Sequence, residues 1–279
     1  MRRWSWMAAL CLAGSVAAEE LAVDTVFFDG WESFQGDLLR INLLALRDPH
    51  LYVDTGFPFG CLDITDQGDP LGLAPGFNPA LNQSLNNDGS GDGFLDASPL
   101  LLIEPFAAGA SPGRVWLADG RCSAPAATTS CEILTAGLPQ PYESAPLDGL
   151  CRGPLPDTTS GYQPPVLAVE DPCFASAPAD GVLELQGIAL ELVDSSLAGS
   201  WVDAADGLVT AGLLRGFLSE EDADAIVLPE ELDFVGGQPL SVLLPGGAGN
   251  CAPGDDRDVH QGVTGWWFYL EFDALRPDA

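Results

Sequence analysis

Apolar and polar residues alternate along several short runs of the chain. Leu39, Ile41, Leu43 and Ala45 share one side of a run that starts at Leu39, which is the two-residue period of a strand. Leu51–Val53 and Pro99–Ile103 are short apolar runs that predict further strands. Arg114–Leu117 predicts another, ended by a turn at Asp119-Gly120. Val182–Gln186 predicts a strand, and Ile188, Leu190 and Leu192 then alternate with Ala189, Glu191 and Val193, with Gly187 a bulge or tight bend between the runs. The clearest alternation comes last: Trp266, Phe268, Leu270 and Phe272 point one way, and Trp267, Tyr269, Glu271 and Asp273 the other.

Helical signals are fewer. Leu208, Ala211, Leu214 and Leu218 follow helical spacing. Ser219 stands three residues before Asp222, a start like a capping box, for a helix running to about Val227 and stopping before Pro229. Pro79–Leu85 predicts a short helix. With 32 glycines, 23 prolines and 47% hydrophobic residues, the chain has the composition of many short strands joined by turns rather than of a disordered polymer. The expected fold is mainly β: an antiparallel β-sandwich or a jelly-roll-like arrangement with one or two short helices. Residues 121–181, rich in Pro, Ser, Thr and Gly, predict an irregular stapled insertion within a single β-rich domain over 19–279.

The first residues change the picture of where this domain works. Arg2 and Arg3 precede a short apolar run, Met7–Ala17, with Val16 and Ala18 at the places read by a signal peptidase. A signal peptide over 1–18 is therefore expected, and with it secretion to an extracellular, periplasmic or cell-surface location. The run is too short for a mature membrane anchor. Apart from Cys11, six cysteines remain, an even set that in an exported chain predicts disulfides. Six cysteines allow 15 pairings, among which sequence alone does not choose; local loop closure favours Cys122 with Cys131 and Cys151 with Cys173, leaving Cys61 with Cys251. No C-x-x-C pair suggests a zinc ribbon or a redox site.

The chain carries 10 basic and 41 acidic residues and no lysine. Loss of Arg2 and Arg3 with the leader leaves 8 against 41, a net charge of −33. Such a surface repels nucleic acid and anionic membranes, and suits divalent cations or solubility outside the cell. Intramolecular isopeptide cross-links, which need lysine, are excluded.

The acidic residues are most ordered in the segment Asn86-Asn-Asp-Gly-Ser-Gly-Asp-Gly-Phe-Leu-Asp96-Ala-Ser98. With Asp88 first, Ser90 is third, Asp92 fifth, Gly93 sixth, Phe94 seventh and Asp96 ninth. Calcium takes six to eight oxygen ligands, and oxygens on alternate residues of a tight turn converge on one point. Gly93 permits the sharp bend. This segment resembles the calcium loops of EF-hands, dockerins and thrombospondin type 3 repeats. The resemblance implies a calcium site of Asp88, Ser90, Asp92, the Phe94 carbonyl and Asp96, with Leu95 packing inward. It departs from the pattern at the twelfth place, where Pro99 stands instead of an acid. The competing expectation is a Gly/Asp surface turn. An oxygen-only set argues against zinc or copper. The chain as a whole resembles exported bacterial proteins of no assigned activity, and that resemblance implies compartment alone.

A second acidic loop, Asp255–Gly262, has Asp256 and Asp258 in alternation. His260 stands where an oxygen should be and no glycine falls at the sixth place, so it reads as a solvated acidic turn more than as a weak cation site. Leu51-Tyr-Val-Asp54-Thr55-Gly56 resembles the aspartic protease motif, with a near-echo at Asp194-Ser195-Ser196, 140 residues later. Ser196 stands where a glycine is required, and the chain is short for two lobes. His50 and His260 are the two histidines; His50 reads as a packing or turn residue. No G-x-S-x-G, H-E-x-x-H, Walker or dinucleotide pattern occurs. No catalytic residues are assigned. The expected function is a secreted calcium-binding β-sandwich with a structural or binding role, its partners a divalent cation and either carbohydrate or an extracellular protein. Trp116, Trp201 and Trp267 are candidates for a glycan platform. The alternative is a secreted hydrolase, glycosidase-like or aspartic-protease-like.

Overall fold

The structure, a computed structural model, describes residues 37–56, 58–68, 75–105, 113–136, 140–145, 151–185, 188–203, 208–230, 232 and 234–277. The expected leader, 1–18, lies outside the described residues, as does Gly187. In chain order the elements are β1 (Asp37–Asp48), β2 (Tyr52–Asp54), β3 (Cys61–Asp63), α1 (Phe77–Asn86), β4 (Pro99–Glu104), β5 (Gly113–Cys122), β6 (Cys131–Ala136) and β7 (Gln140–Ala145). They continue with β8 (Cys173–Ser176), β9 (Ala179–Leu185), β10 (Ile188–Asp203), β11 (Leu208–Ser219), α2 (Glu220–Ala225), β12 (Asp258–His260) and β13 (Val263–Leu275).

Eleven strands form one antiparallel sheet in the order β1-β4-β5-β7-β8-β10-β11-β13-β12, with β6 added to β5 and β9 to β10; β2 and β3 pair separately. Because β1 bonds β13 as well as β4, the sheet folds back on itself into a sandwich-like body. Its interior holds Leu39, Ile41, Leu101, Ile103, Phe174, Leu214, Trp266, Phe268, Leu270 and Phe272, all buried in one cluster. The expected mainly antiparallel β architecture is thus the one observed.

Two elements differ from the sequence reading. Leu208–Ser219 is not helical; it is strand β11. Val209, Leu214 and Leu218 face the interior, and Leu213 and Phe217 belong to a second apolar cluster on the opposite face. A strand buried on both faces carries a nearly continuous apolar run, in which helical spacing arises by coincidence. A register shift between Val209 and Gly212, with Ala211 at φ 47°, moves the phase again. Gly212 is needed there, since a Cβ would lie 2.4 Å from the Phe272 ring. Strand β1 shows the same effect. A register shift between Ile41 and Leu43 turns Leu43 outward and sends Leu44 and Leu46 into the core.

That shifted half of β1 has an unusual neighbour. Beyond Arg40, β4 no longer pairs with it. Helix α1 takes the strand's place. The Asn82 side chain accepts from Leu44 N and donates to Leu44 O, and Asn78 does the same at Leu46. Asn86 donates to Asn42 O. Four helical residues rise about 6 Å and two strand residues about 6.6 Å, so an asparagine every fourth residue keeps step with every second strand residue. Leu81 and Leu85 anchor the helix in the core, and Arg40 donates to Leu85 O at its C-terminus. Helix α2 starts as the sequence indicates, the Ser219 hydroxyl accepting from Asp222 N at 3.0 Å. It ends at Ala225.

The region 121–181 is more regular than expected, since it contributes β6, β7, β8 and the start of β9. Asp119-Gly120 is not a turn. It lies within β5, where the register to β6 shifts between these two residues. Of the 15 pairings open to the sequence, the structure forms the set that loop closure favours, Cys61–Cys251, Cys122–Cys131 and Cys151–Cys173. Between Cys151 and Cys173 the chain forms a strap over the outer face of β10, β11 and β13. Leu155 and Val166 of the strap pack on the buried Leu213, Phe217, Trp267 and Tyr269. Leu155 N donates to the Tyr269 hydroxyl and Leu167 N to Glu271. Trp267 is therefore covered, and Trp116 is buried too; neither offers a face to a glycan. The Trp201 side chain lies outside the described residues. Among the described residues no helix is long and apolar enough to cross a membrane.

Candidate metal-binding loop

The Asp88 loop joins the end of α1 to the start of β4, and both sides are pinned. Asp96 N donates to Asn87 O and Ala97 N to Ser84 O, which fixes the loop to the helix. Leu95 N donates to Cys122 O and Ala124 N to Gly93 O, which fixes it to the disulfide-closed β5–β6 hairpin. Leu95 is buried, as its place in the pattern requires. Gly93 adopts φ 91°, the left-handed conformation expected of it.

Within this frame the acidic side chains organise the backbone. Asp88 Oδ1 accepts from Gly91 N at 2.6 Å and Asp92 N at 3.1 Å, and Oδ2 accepts from Gly93 N at 2.9 Å. The Ser90 hydroxyl also donates to Asp88. From the other end of the loop, Asp96 accepts from Gly89 N and Ser90 N. Asp92 Oδ1 accepts from Phe94 N at 3.0 Å. Phe94 forms a bridge to Ser123, and its ring lies under the Arg121 guanidinium, 4.6 Å away. The amide of Gly93, helped by those of Gly91 and Asp92, holds the Asp88 carboxyl below the usual carboxylate range. Asp88 is therefore ionised at any ordinary pH, the state a hard cation needs.

Asp88, Ser90, Asp92 and Asp96 thus sit around one turn, and all offer oxygen. Pro99, at the twelfth place, opens β4 opposite Asp119. Among the described residues, the trio of potential ligand side chains gathered within 4.8 Å of one another is Cys151, Asp171 and Cys173, whose cysteines are bonded to each other. The carboxylates of the Asp88 loop are spaced more widely and turned to the loop's amides.

A second cluster was not legible in the sequence. His50 is buried, and its Nδ1 lies 2.6 Å from Asp63. The Tyr162 ring of the strap stacks on it, centroids 3.8 Å apart, and the Tyr162 hydroxyl donates to Asp256. Next to it Asp48, 3% exposed, accepts from Ser160 N. Burial, reinforced by Asp256 and Asp258, raises the Asp48 carboxyl to about 7. Burial alone would raise Asp63, but His50 and Thr65 hold it below its ordinary value. Burial and the Asp256 charge push the Tyr162 hydroxyl upward. Asp63 is 13 residues from His50, but Ser160, Tyr162 and Asp256, which complete the cluster around Asp48 and His50, lie more than a hundred residues downstream, so no local spacing signals it.

The remaining candidates are dispersed. Asp256 is bonded to Tyr162, Asp255 to Arg257, and His260 to Asp194 at 2.6 Å, so the second acidic loop does not converge on one point. Asp54 is exposed and accepts from Gly56 N. Asp194, its echo, is held by His260 and Gln261. No family model, curated protein or solved structure matches this chain.

Proposed function

We propose that the protein is a secreted, calcium-clamped β-sandwich with a structural or binding role outside the cell. The supporting observation is the Asp88 loop: one ionised carboxylate gathers three successive amides into a turn that carries the side-chain oxygens of Ser90, Asp92 and Asp96. Bound calcium would be held by those groups and the Phe94 carbonyl, with water completing the shell in place of an acid at Pro99. The ion would neutralise part of a crowded acidic turn. Its binding energy would then stabilise the junction between α1, β4 and the stapled β5–β6 hairpin. Secretion rests on the leader-like residues 1–18 and agrees with the three disulfides. The hydrolase alternative has no comparable support. Asp54 is an exposed turn carboxylate, and Asp48 is buried beneath the strap.

Thermal unfolding with calcium and with chelator tests this reading. At a hundredfold excess over Kd, calcium adds about 2.7 kcal/mol, which for a chain of this size raises Tm by about 5–10 °C. Asp88→Ala combined with Asp92→Ala should erase the rise. An unchanged Tm between saturating calcium and excess chelator would sink the proposal.

A further inference from the structure

Eight arginines follow residue 18, and together they are the chain's remaining basic side chains apart from two histidines. Five of them, Arg47, Arg114, Arg121, Arg257 and Arg276, reach a carboxylate. Arg40 caps helix α1. Among the described residues, Arg152 and Arg215 do neither. Arg215 on β11 is 9% exposed, and Arg152 in the strap is half-buried. Each donates one N–H to a carbonyl: Arg215 Nη1 to Gly153 O at 2.9 Å and Arg152 Nη2 to Ser176 O at 2.7 Å. The Nε of each is buried without a partner among the described residues. A guanidinium offers five donors in a planar fork, and leaving them unpaired away from water is costly.

Arg215 bonds the carbonyl of Gly153, the residue after Arg152, so the two cations are neighbours. Burial lowers the pKa of both, and the charge of Arg152 lowers that of Arg215 further. The carboxylate acting on Arg215 from a distance is Asp194, which is itself bonded to His260 and Gln261. Ser196 is the direct cross-strand neighbour of Arg215, on the same face of the sheet. It is fully buried, and its hydroxyl has no partner among the described residues. On the other side of Arg215 in the sheet stands Tyr269, its hydroxyl bonded to the strap. In a chain with 41 acids, the buried Arg215 and the half-buried Arg152 meet no carboxylate among the described residues, and with the orphaned hydroxyl beside them they form a site with unmet demand for negative charge and acceptor oxygens.

We propose that Arg152, Arg215 and Ser196 bind a small oxyanion beneath the strap. The fork geometry of two guanidiniums matches the oxygens of a carboxylate or of a tetrahedral sulfate or phosphate. The serine hydroxyl supplies a further donor. The bound anion neutralises the mutual repulsion and ties the strap, through Arg152, to β10 and β11. The overall negative charge of the molecule opposes nonspecific anion uptake, so an anion held here is held by local contacts.

The full-length oxidised protein is titrated with sulfate, phosphate and acetate, each against chloride at matched ionic strength to remove simple screening. Binding is read by calorimetry and by Tm. The proposal expects at least one oxyanion to bind and to raise Tm beyond chloride. The sulfate and phosphate arms, compared with acetate, decide whether the natural ligand presents a tetrahedral group or a carboxylate. Arg152→Met and Arg215→Met should each weaken binding by about tenfold or more, and Ser196→Ala by a few-fold. Equivalence of every oxyanion with chloride overturns the proposal. So does undiminished binding in either arginine variant. If both arginine variants fail to fold, Ser196→Ala decides: unchanged affinity there overturns it.

Discussion

Asp48 shows how one residue couples strap, sheet and solvent pH. The carboxyl ends β1, is 3% exposed and accepts the Ser160 amide. Burial first, then the charges of Asp256 and Asp258, lift its pKa from 3.8 to about 7. An unfolded chain loses this proton near 3.8, whereas the folded protein keeps it until about 7. Between those values the native state binds more protons than the unfolded state, so this group's contribution to stability falls as pH rises and levels off above 7. Asp48→Asn keeps an acceptor for Ser160 and removes the titration. Urea unfolding of both proteins at several pH values should show the variant gaining relative to wild type from about pH 4 to 7 and holding the gain above it. A difference that stays flat with pH would show that Asp48 titrates normally.

At the scale of elements, sequence pattern and structure part where packing is two-sided. The short helix at Pro79–Leu85 and the strand at Leu39–Ala45 were both expected from the sequence, the strand from its alternation. Their mutual bonding was not, because it depends on matching two rises across about forty residues of chain. Asn82 carries the centre of that contact, satisfying the N–H and C=O of the buried Leu44. Asn82→Ala leaves both groups unpaired and should cost about 1–3 kcal/mol, read as a lower urea midpoint at unchanged m. Asn82→Asp should cost as much or more, since a carboxylate cannot donate to Leu44 O. Strand β11 was misread for a physical reason. Its apolar residues serve two faces, Leu214 and Leu218 the interior and Leu213 and Phe217 the strap. One-dimensional spacing does not separate that case from a helix.

At the scale of the molecule, the three disulfides act on very different lengths of chain. Cys122–Cys131 closes 9 residues already held by the β5–β6 ladder, whereas Cys61–Cys251 closes 190 and ties β3 to the segment before β12. Chain entropy assigns roughly 5 kcal/mol to the long loop and roughly 3 kcal/mol to the short one, as upper values. The double variant Cys61→Ala with Cys251→Ala should therefore unfold at a lower denaturant concentration than Cys122→Ala with Cys131→Ala. The reverse order would mean that the hairpin staple matters through the Asp88 loop it supports rather than through entropy, and added calcium would then narrow the difference.

The sequence by itself determined the β class, the even cysteine count, the Ser219 cap of α2 and the order of oxygens in the Asp88 loop. All of these follow from local spacing, from counting, or from side chains acting on their own neighbours. Tertiary structure alone decided which residues face inward after a register shift, why Trp267 and Tyr269 are covered, and how α1 completes the edge of β1. It also brought Asp48 and His50 to Tyr162 and Asp256, and Arg152 to Arg215. Those juxtapositions join segments tens to two hundred residues apart, and a buried charge acquires its chemistry from what the fold places beside it.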